Sequence, residues 1–202
     1  MWAFLTESIS PHEILTPEDF TEEQRLVAQY DTTITTIGRC FVEIDKHWET
    51  IRAIFEEAYK SCVHFAVATV NEDGSPHVTP IGALILRDNQ TGFYFEENPT
   101  RMPLNLKRNP RVCILAVNAD KLFWGKSLLE GKFTTPPAVR LSGTVGELRN
   151  ATADEISVWQ DKITIAKGTK GYKLLWEKLA KVRDITFDSC EPVELGEMTR
   201  EV

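Results

Sequence analysis

The sequence contains no apolar run that approaches the roughly 18–20 residues a membrane-spanning helix requires. Its first residues also lack the basic segment and the long apolar segment that together mark a secretory signal peptide. We therefore expect a cytoplasmic protein with no membrane partner.

Metal and nucleotide motifs are also missing. The cysteines Cys40, Cys62, Cys113 and Cys190 form no CxxC or CxxxC pair, and the histidines form no HxH, HxxxH or HExxH pattern. Free thiols and no metal site are expected. There is no Walker loop, no GxGxxG fingerprint and no GxSxG nucleophile elbow.

Positive charge is scarce. Lys and Arg number 23 against 30 Asp and Glu, which gives a net charge of −7 over 202 residues. Binding to nucleic acid needs clustered Lys and Arg, so we expect no nucleic-acid partner. A small basic pocket for a single phosphate group is still compatible with this balance.

What the chain does contain is a close series of β-prone runs. Asp73-Gly74 supplies the positive φ of a tight hairpin turn, and a second turn is predicted over residues 88–92. Antiparallel strands are therefore predicted at His64–Val70, His77–Leu86, Gly92–Phe95 and Arg111–Val117. This stretch carries most of the information in the sequence.

A short helical segment is predicted over Thr100–Arg108, and a basic cluster accompanies it. The cluster consists of Arg101, Lys107, Arg108 and Arg111. A helix start with a nearby Thr hydroxyl and Arg side chains can bind an anion, but spacing alone favours a solvated helix face. Glu96 and Glu97 follow a strand and either line a pocket or, as the pattern favours, lie in a solvated turn.

Helices flank this region. Apolar residues at three- and four-residue spacing predict an amphipathic helix over Glu43–Lys60 that packs on a sheet, or alternatively serves as an interaction helix. A helix over Pro17–Tyr30 and an extended run over Asp31–Val42 are predicted before it.

The second half of the chain is less regular. Ala119–Pro137 shows no clean period and is predicted to be a long binding loop or lid that carries Trp124. A strand is predicted over Ala138–Leu148. Thr152 and Glu155 predict the capped start of a helix. A second helix is predicted over Tyr172–Val182, and an extended segment is predicted around Ile185.

The order of residues resembles a known family. The carrying pattern is Ala68-Thr69-Val70, Asp73-Gly74-Ser75-Pro76-His77-Val78-Thr79-Pro80-Ile81-Gly82, Phe93-Tyr94-Phe95, Thr100-Arg101, Asn105-Leu106 and Asn109-Pro110-Arg111-Val112. It resembles the pyridoxamine 5′-phosphate oxidase-like family of FMN-binding split barrels over roughly residues 60–118.

The resemblance implies a mainly β, α+β fold: a six-stranded antiparallel split barrel that binds FMN at the interface of a homodimer. One domain over residues 1–202 is expected, with an N-terminal extension over about residues 1–60 and C-terminal helices over about 152–182. Along the flavin ring the resemblance places Thr79, Pro80, Ile81 and Gly82. At the FMN phosphate it places Thr100 and Arg101, with Lys107 as a further cation, and Arg140 lies where a family strand reaches the cofactor. Trp124, on the predicted loop over Ala119–Pro137, is expected to cover the ring or the substrate from one subunit.

Two departures accompany the resemblance. Met102 stands where family members commonly have Lys, and the C-terminal signature that binds pyridoxal phosphate is not recognisable. The implied function is therefore an FMN-dependent oxidoreductase of unknown substrate, with NAD(P)H as a possible electron donor and no assigned catalytic residue. The alternative is a flavin- or haem-binding sensor or storage protein without turnover; some members of the family bind a deazaflavin instead.

Overall fold

The computed structural model of the protein describes residues 43–200. The helix predicted over Pro17–Tyr30, the extended run over Asp31–Val42 and Cys40 lie outside the described residues. Within them Cys62, Cys113 and Cys190 are free thiols. No helix in the described part of the chain is long and apolar enough to cross a membrane, and the cytoplasmic location stays a prediction.

Five α-helices and seven strands make up the described residues 43–200. The helices are α1 Ile44–Cys62, α2 Met102–Leu106, α3 Lys121–Glu130, α4 Ala153–Lys162 and α5 Lys170–Leu175. The strands are β1 Phe65–Val70, β2 Pro76–Ile81, β3 Leu84–Leu86, β4 Thr91–Phe95, β5 Arg111–Val117, β6 Ala138–Asn150 and β7 Lys181–Pro192.

The strands form one antiparallel sheet in the order β2-β1-β5-β6-β7-β4-β3. Its two edge strands, β2 and β3, are consecutive in the chain and are separated by Gly82 and Ala83 alone. The sheet therefore curls until its edges meet through the backbone, which is the split-barrel architecture that the resemblance implied. When residues 76–86 are counted as one interrupted strand, the seven strands become the expected six.

Gly82 is required at that interruption. A Cβ atom on Gly82 would lie 3.1 Å from the carbonyl oxygen of Val63, which is tighter than ordinary van der Waals contact. Val63 ends α1 in the left-handed conformation, with φ of 52°. The break between β2 and β3 is thus fixed by close backbone approach to the end of α1.

The predicted hairpin between β1 and β2 is confirmed. Gly74 has φ of 82°, and the Asn71 N–H donates to the Ser75 carbonyl over 2.9 Å. Register across the hairpin pairs Phe65 with Ile81 and Val67 with Thr79. The turn therefore sets which face of β2 each residue occupies, since pairs directly opposite share a face.

The predicted amphipathic helix is confirmed as α1, which packs its apolar stripe into the main core. Trp48, Ile51, Phe55 and Ala58 are all buried there. The Trp48 indole N–H donates to the Arg87 carbonyl over 2.8 Å, so its polar atom is satisfied while its ring is buried. This contact favours the structural role of the helix over the interaction helix.

A second apolar cluster lies under the C-terminal helices. Trp159 and Ile163 pack with Phe93, Phe95 and Val182 of strands β4 and β7. The predicted capping box at the start of α4 is present: the Thr152 hydroxyl accepts from the Glu155 N–H, and the Glu155 carboxylate accepts from the Thr152 N–H. Helix α4 therefore packs against strands β4 and β7.

Two expectations for the second half of the chain were wrong. The irregular binding loop or lid predicted over residues 119–137 is largely helical, because α3 occupies Lys121–Glu130. Asp120 accepts from the Phe123 N–H at its start, and Gly131 ends it with φ of 70°. An Asp before a helix and a Gly after it are common capping residues, so the sequence did contain a signal for this helix.

The helix predicted over Tyr172–Val182 is instead the shorter α5, and β7 already begins at Lys181. The Glu96 N–H donates to the Lys181 carbonyl over 3.1 Å, so pairing with the end of β4 draws this segment into the sheet. Tertiary pairing overrides helical spacing here.

Candidate functional site

The segment predicted to lie along a cofactor ring borders a cavity of about 300 Å³. Thr79, Pro80, Ile81 and Gly82 all line it, and they do so where β2 breaks toward β3. The opposite walls come from the end of β4 with the loop after it, and from the end of α5 with the chain that follows it. The complete lining is residues 79–83, Phe95, Asn98, Pro99, Leu175, Trp176 and Leu179.

The Thr79 hydroxyl is the distinctive polar group of this segment. Its Oγ1 atom is buried and has no hydrogen-bond partner among the described residues. A buried hydroxyl without a partner costs free energy, on the order of 1–3 kcal/mol. An unpaired hydroxyl beside a cavity is a group that a polar ligand can satisfy, so the segment fits a bound cofactor with hydrogen-bonding ring edges.

None of the described lining residues carries a charge. The surface is built from backbone, from apolar side chains and from the amide of Asn98. Such a lining suits a neutral planar group and would not hold a phosphate. A phosphate on the same ligand would have to lie outside the cavity.

Thr100 and Arg101 are placed where that phosphate could lie. They follow Pro99 of the cavity wall directly, and both are exposed. Hydrogen bonds from Ser75 and, to a smaller extent, the charge of Arg101 lower the pKa of Asp73 in the β1–β2 hairpin. The Arg101 guanidinium therefore lies near the hairpin, at the same end of the sheet as α2.

The basic cluster divides into paired and unpaired cations. Arg108 lies 2.5 Å from the Glu72 carboxylate, and Arg111 forms two contacts with Asp188, one of them over 3.0 Å. Arg101 and Lys107 form no ion pair with another described residue. The cations available to an anion are therefore Arg101 and Lys107.

Helix α2 offers less to an anion than the sequence predicted. It spans five residues, has Pro103 in its first turn and has no side-chain cap. The Asn105 amide anchors it by donating to the Thr69 hydroxyl over 3.0 Å and to the Asn71 side-chain oxygen over 3.1 Å. An anion at this place would therefore depend on side chains more than on the helix backbone.

Burial explains why Met102 stands where the family pattern commonly has Lys. Its side chain is 1% exposed and belongs to the main core, together with Leu106. A Lys at this position would have to bury its ammonium group or leave the core. The position that commonly carries a cation is therefore a core position in this chain.

Glu96 and Glu97 do not form a solvated turn. Glu96 is buried and accepts hydrogen bonds from Tyr94 and Arg183, whereas the Glu97 carboxylate accepts from the backbone N–H groups of Ala180 and Lys181. Neither of the two lines the cavity. Both instead fix the loop that carries Asn98 and Pro99.

Arg140 is not part of the same cavity. Register places Pro80, Ala66, Leu115 and Arg140 in one row on neighbouring strands β2, β1, β5 and β6. At about 4.8 Å between strands, Arg140 lies roughly 14 Å from Pro80 along the outer face. Its guanidinium lies 3.3 Å from the Glu191 carboxylate on β7.

Trp124 is likewise remote from the lining residues. Its ring packs edge-on against Phe133 with centroids 5.1 Å apart, and its indole N–H donates to the Asn118 carbonyl over 2.7 Å. These contacts hold α3 against the residues just before and just after it, Asn118 and Phe133. The assignments of Trp124 and Arg140 to a cofactor stay predictions.

The predicted site residues did not include the lining residues Ala83, Phe95, Pro99, Leu175, Trp176 and Leu179. The spacing of Leu175 and Leu179 indicated a helix core, and nothing local showed that this segment faces residues 79–83. Asn98 was missed as well, because its role depends on a contact with Leu175, 77 residues away.

The chain is similar to a known protein family and to several solved structures. The family described as pyridoxamine 5′-phosphate oxidase matches residues 51–185. No curated protein sequence matches the chain.

Solved structures are similar at low identity. An FMN-binding protein from Syntrophomonas wolfei is 14% identical, covering 75% of this chain and 95% of its own, with a TM-score of 0.48. A pyridoxamine 5′-phosphate oxidase, so described, from Listeria innocua is 17% identical, covering 72% and 96%, with a TM-score of 0.45. HupZ from Group A Streptococcus is 18% identical, covering 71% and 97%, with a TM-score of 0.46.

Proposed function

The chain belongs to the pyridoxamine 5′-phosphate oxidase family, and from this membership we propose that it is an FMN-dependent oxidoreductase acting as a homodimer. The observation that carries the proposal is the unpartnered, buried Thr79 hydroxyl beside an uncharged cavity. Thr100 and Arg101 follow the cavity wall at Pro99, so a neutral ring and a phosphate each have a matching surface.

Residues of this chain would divide the cofactor between them. Thr79, Pro80, Ile81 and Gly82 would lie along the ring, largely through backbone groups. The phosphate would contact Thr100, Arg101 and Lys107, since a planar guanidinium and an ammonium group both bind phosphate oxygens. When bound, FMN supplies the hydride or electron transfer.

The protein's part in this reaction is to bind, orient and desolvate. No titratable side chain lines the cavity among the described residues, so we assign no acid or base. Enclosure by Phe95 and Trp176 would exclude water from one side of the ring. The arrangement supports chemistry that the cofactor carries and the protein positions.

The outer face of the sheet supports the homodimer. A second register row places Val78, Ala68 and Cys113 side by side on β2, β1 and β5, next to the row that contains Pro80, Ala66 and Leu115. Val78 is 58% exposed, and the row carries no charge at these positions. Small, uncharged side chains on an exposed sheet face suit packing against a second copy.

Dimerisation would also explain how Arg140 and Trp124 could contact a cofactor. Neither lines the cavity of its own chain, and Arg140 lies on the outer sheet face that a second copy could approach. We therefore propose that each serves the cofactor bound mainly by the other subunit. The cofactor would then lie at the interface and would need both chains.

Pyridoxamine 5′-phosphate is not the proposed substrate. The C-terminal signature for its phosphate is not recognisable, and the cavity has no charged lining residue for a second phosphate. The proposed electron donor is NADH or NADPH.

The visible spectrum of the purified protein tests the proposal. We expect flavin absorbance that persists through gel filtration, and mass spectrometry of the released molecule should identify FMN. Bleaching by NADH or NADPH under anaerobic conditions would support turnover. Colourless protein that fails to take up added FMN would refute the proposal.

A second candidate is a flavin- or haem-binding protein that stores or senses its ligand. Burial of Met102 favours it, because the chain lacks one cation that family members commonly present near the phosphate. The same experiment separates the two: bound FMN that neither nicotinamide nucleotide reduces would support this second reading. A haem spectrum would identify the other ligand class.

A further inference from the structure

One wall of the cavity comes from a segment that lies outside the strands of the barrel. Residues 175–179 begin at the last residue of α5, and Leu175, Trp176 and Leu179 line the cavity together with residues 79–83. This segment is defined here as the C-terminal wall. It lies between α5 and β7 and is not part of any strand of the barrel.

The loop after β4 holds the C-terminal wall near both of its ends. The Asn98 side-chain amide donates to the Leu175 carbonyl over 3.3 Å. The Glu97 carboxylate accepts from the N–H groups of Ala180 and Lys181, the latter over 2.5 Å. Two adjacent residues thus fix the wall relative to Pro99, which lines the same cavity.

The ring of Trp176 packs against a second tryptophan, Trp159. The two rings meet edge-on, with centroids 6.2 Å apart and an interplanar angle of 74°. Trp159 is buried and lies 6.4 Å from the ring of Phe95, another lining residue. Trp176 itself is half-buried, so part of its surface remains available to a ligand.

The size and polarity of the cavity limit what it can hold. Its volume of about 300 Å³ is at the lower end of the range for small-molecule sites, roughly 300–1,000 Å³. The volume suits a fused ring system, and the uncharged lining offers no partner for a phosphate. An aromatic and apolar wall contributes to binding through ring contact and burial.

We propose that the C-terminal wall recognises the ring of the bound cofactor, with Trp176 as its principal contact, while the phosphate is recognised separately by Arg101. This proposal rests on the proposed function, since it takes FMN as the ligand. It assigns to Trp176 a positioning role, and the ligand class of the cavity is a neutral, planar, fused aromatic ring.

Riboflavin and FMN are the probes, because they share the ring and differ in the phosphate. Each is titrated into apoprotein by fluorescence quenching, with wild type, Trp176→Ala, Trp176→Leu and Leu174→Ala. Leu174 is the matched control, since it lies in α5, is 82% exposed and does not line the cavity. Urea unfolding of every variant measures whether the fold is retained.

We expect Trp176→Ala to weaken riboflavin and FMN by the same factor, about tenfold. Leu174→Ala should bind both as wild type does. Trp176→Leu keeps apolar volume without the aromatic ring, so it should show a loss for both ligands and carries the test if Trp176→Ala unfolds.

The proposal is overturned if the Trp176 variants that fold bind both ligands within about twofold of wild type. It is also overturned if they weaken FMN alone, or if wild type binds FMN but no riboflavin. Failure of wild type to bind FMN would instead refute the proposed function. The two failures are therefore distinguishable.

Discussion

The Nε atom of Arg183 donates to the Glu96 carboxylate over 2.7 Å, and both side chains are buried. The Tyr94 hydroxyl donates to the same carboxylate over 2.6 Å. Burial first, and then this hydrogen bond and the charge of Glu96, raise the pKa of Tyr94, so the phenol stays protonated. The group links β4 to β7 inside the barrel.

Replacing Arg183 by Met should destabilise the protein by about 3–5 kcal/mol, because Glu96 would remain as a buried charge without a cation. The free energy of unfolding in urea, followed by Trp fluorescence, measures the loss. The double variant Glu96→Gln/Arg183→Met should lose less than Arg183→Met alone. A double variant that is as unstable as the sum of both single variants would contradict this account.

Met102→Lys should destabilise the protein by about 3 kcal/mol, since the ammonium group would enter the core without a partner. It should not tighten FMN binding, although it restores the residue common in the family. Leu104→Lys is the control, because Leu104 lies on the same helix and is 54% exposed. Comparable stability of the two Lys variants in urea would show that position 102 is not buried as described.

Arg101→Gln should weaken FMN binding by about tenfold or more and leave riboflavin binding unchanged, because it removes a charged contact to phosphate alone. The wild-type affinity for FMN should also fall as salt is added, and the variant should depend less on salt. Arg108→Gln is the matched control, since Arg108 is paired with Glu72. Equal losses in both variants would show a general charge effect.

Stability should fall at acid pH through a cluster at the start of α4. Hydrogen bonds from Arg149 lower the pKa of Glu155 to about 2 and that of Asp184 to about 2. Both values lie below those of the unfolded chain, about 4, so the ionised carboxylates stabilise the fold above that pH. This contribution is lost as the pH falls from about 4 toward 2.

Arg149→Gln should therefore make the acid limb of the stability curve shallower. Thermal unfolding between pH 7 and the acid limit measures it. The control is Glu57→Gln, which removes an exposed pair with Lys60 and should leave the curve unchanged. An acid limb as steep in Arg149→Gln as in wild type would contradict the assignment.

Val78→Glu should give a folded monomer that has lost FMN, because it places a charge on the outer sheet face proposed to meet the second copy. Gel filtration with light scattering measures the mass, and the visible spectrum measures the cofactor. Leu174→Glu introduces the same charge at another exposed apolar residue and should remain a dimer. A Val78→Glu dimer with FMN would place the interface elsewhere.

Local patterns in the sequence determined much of the fold. The hairpin at Gly74, the stripe of α1 and the capping box of Thr152 and Glu155 each depend on residues close in the chain, where spacing and turn chemistry specify the backbone. The resemblance over residues 60–118 added the split barrel and the segment Thr79–Gly82. These predictions needed no knowledge of distant contacts.

Tertiary structure decided the rest. Whether Met102 is a core residue, whether Glu96 is buried, and which cations remain unpaired all depend on partners that are distant in the sequence, such as Arg183 for Glu96 and Asp188 for Arg111. The C-terminal wall is the clearest case, because helical spacing placed Leu175 and Leu179 in a helix. Pairing of Lys181 with the end of β4 drew that segment beside the cavity, and burial and pairing of this kind are properties of the folded chain alone.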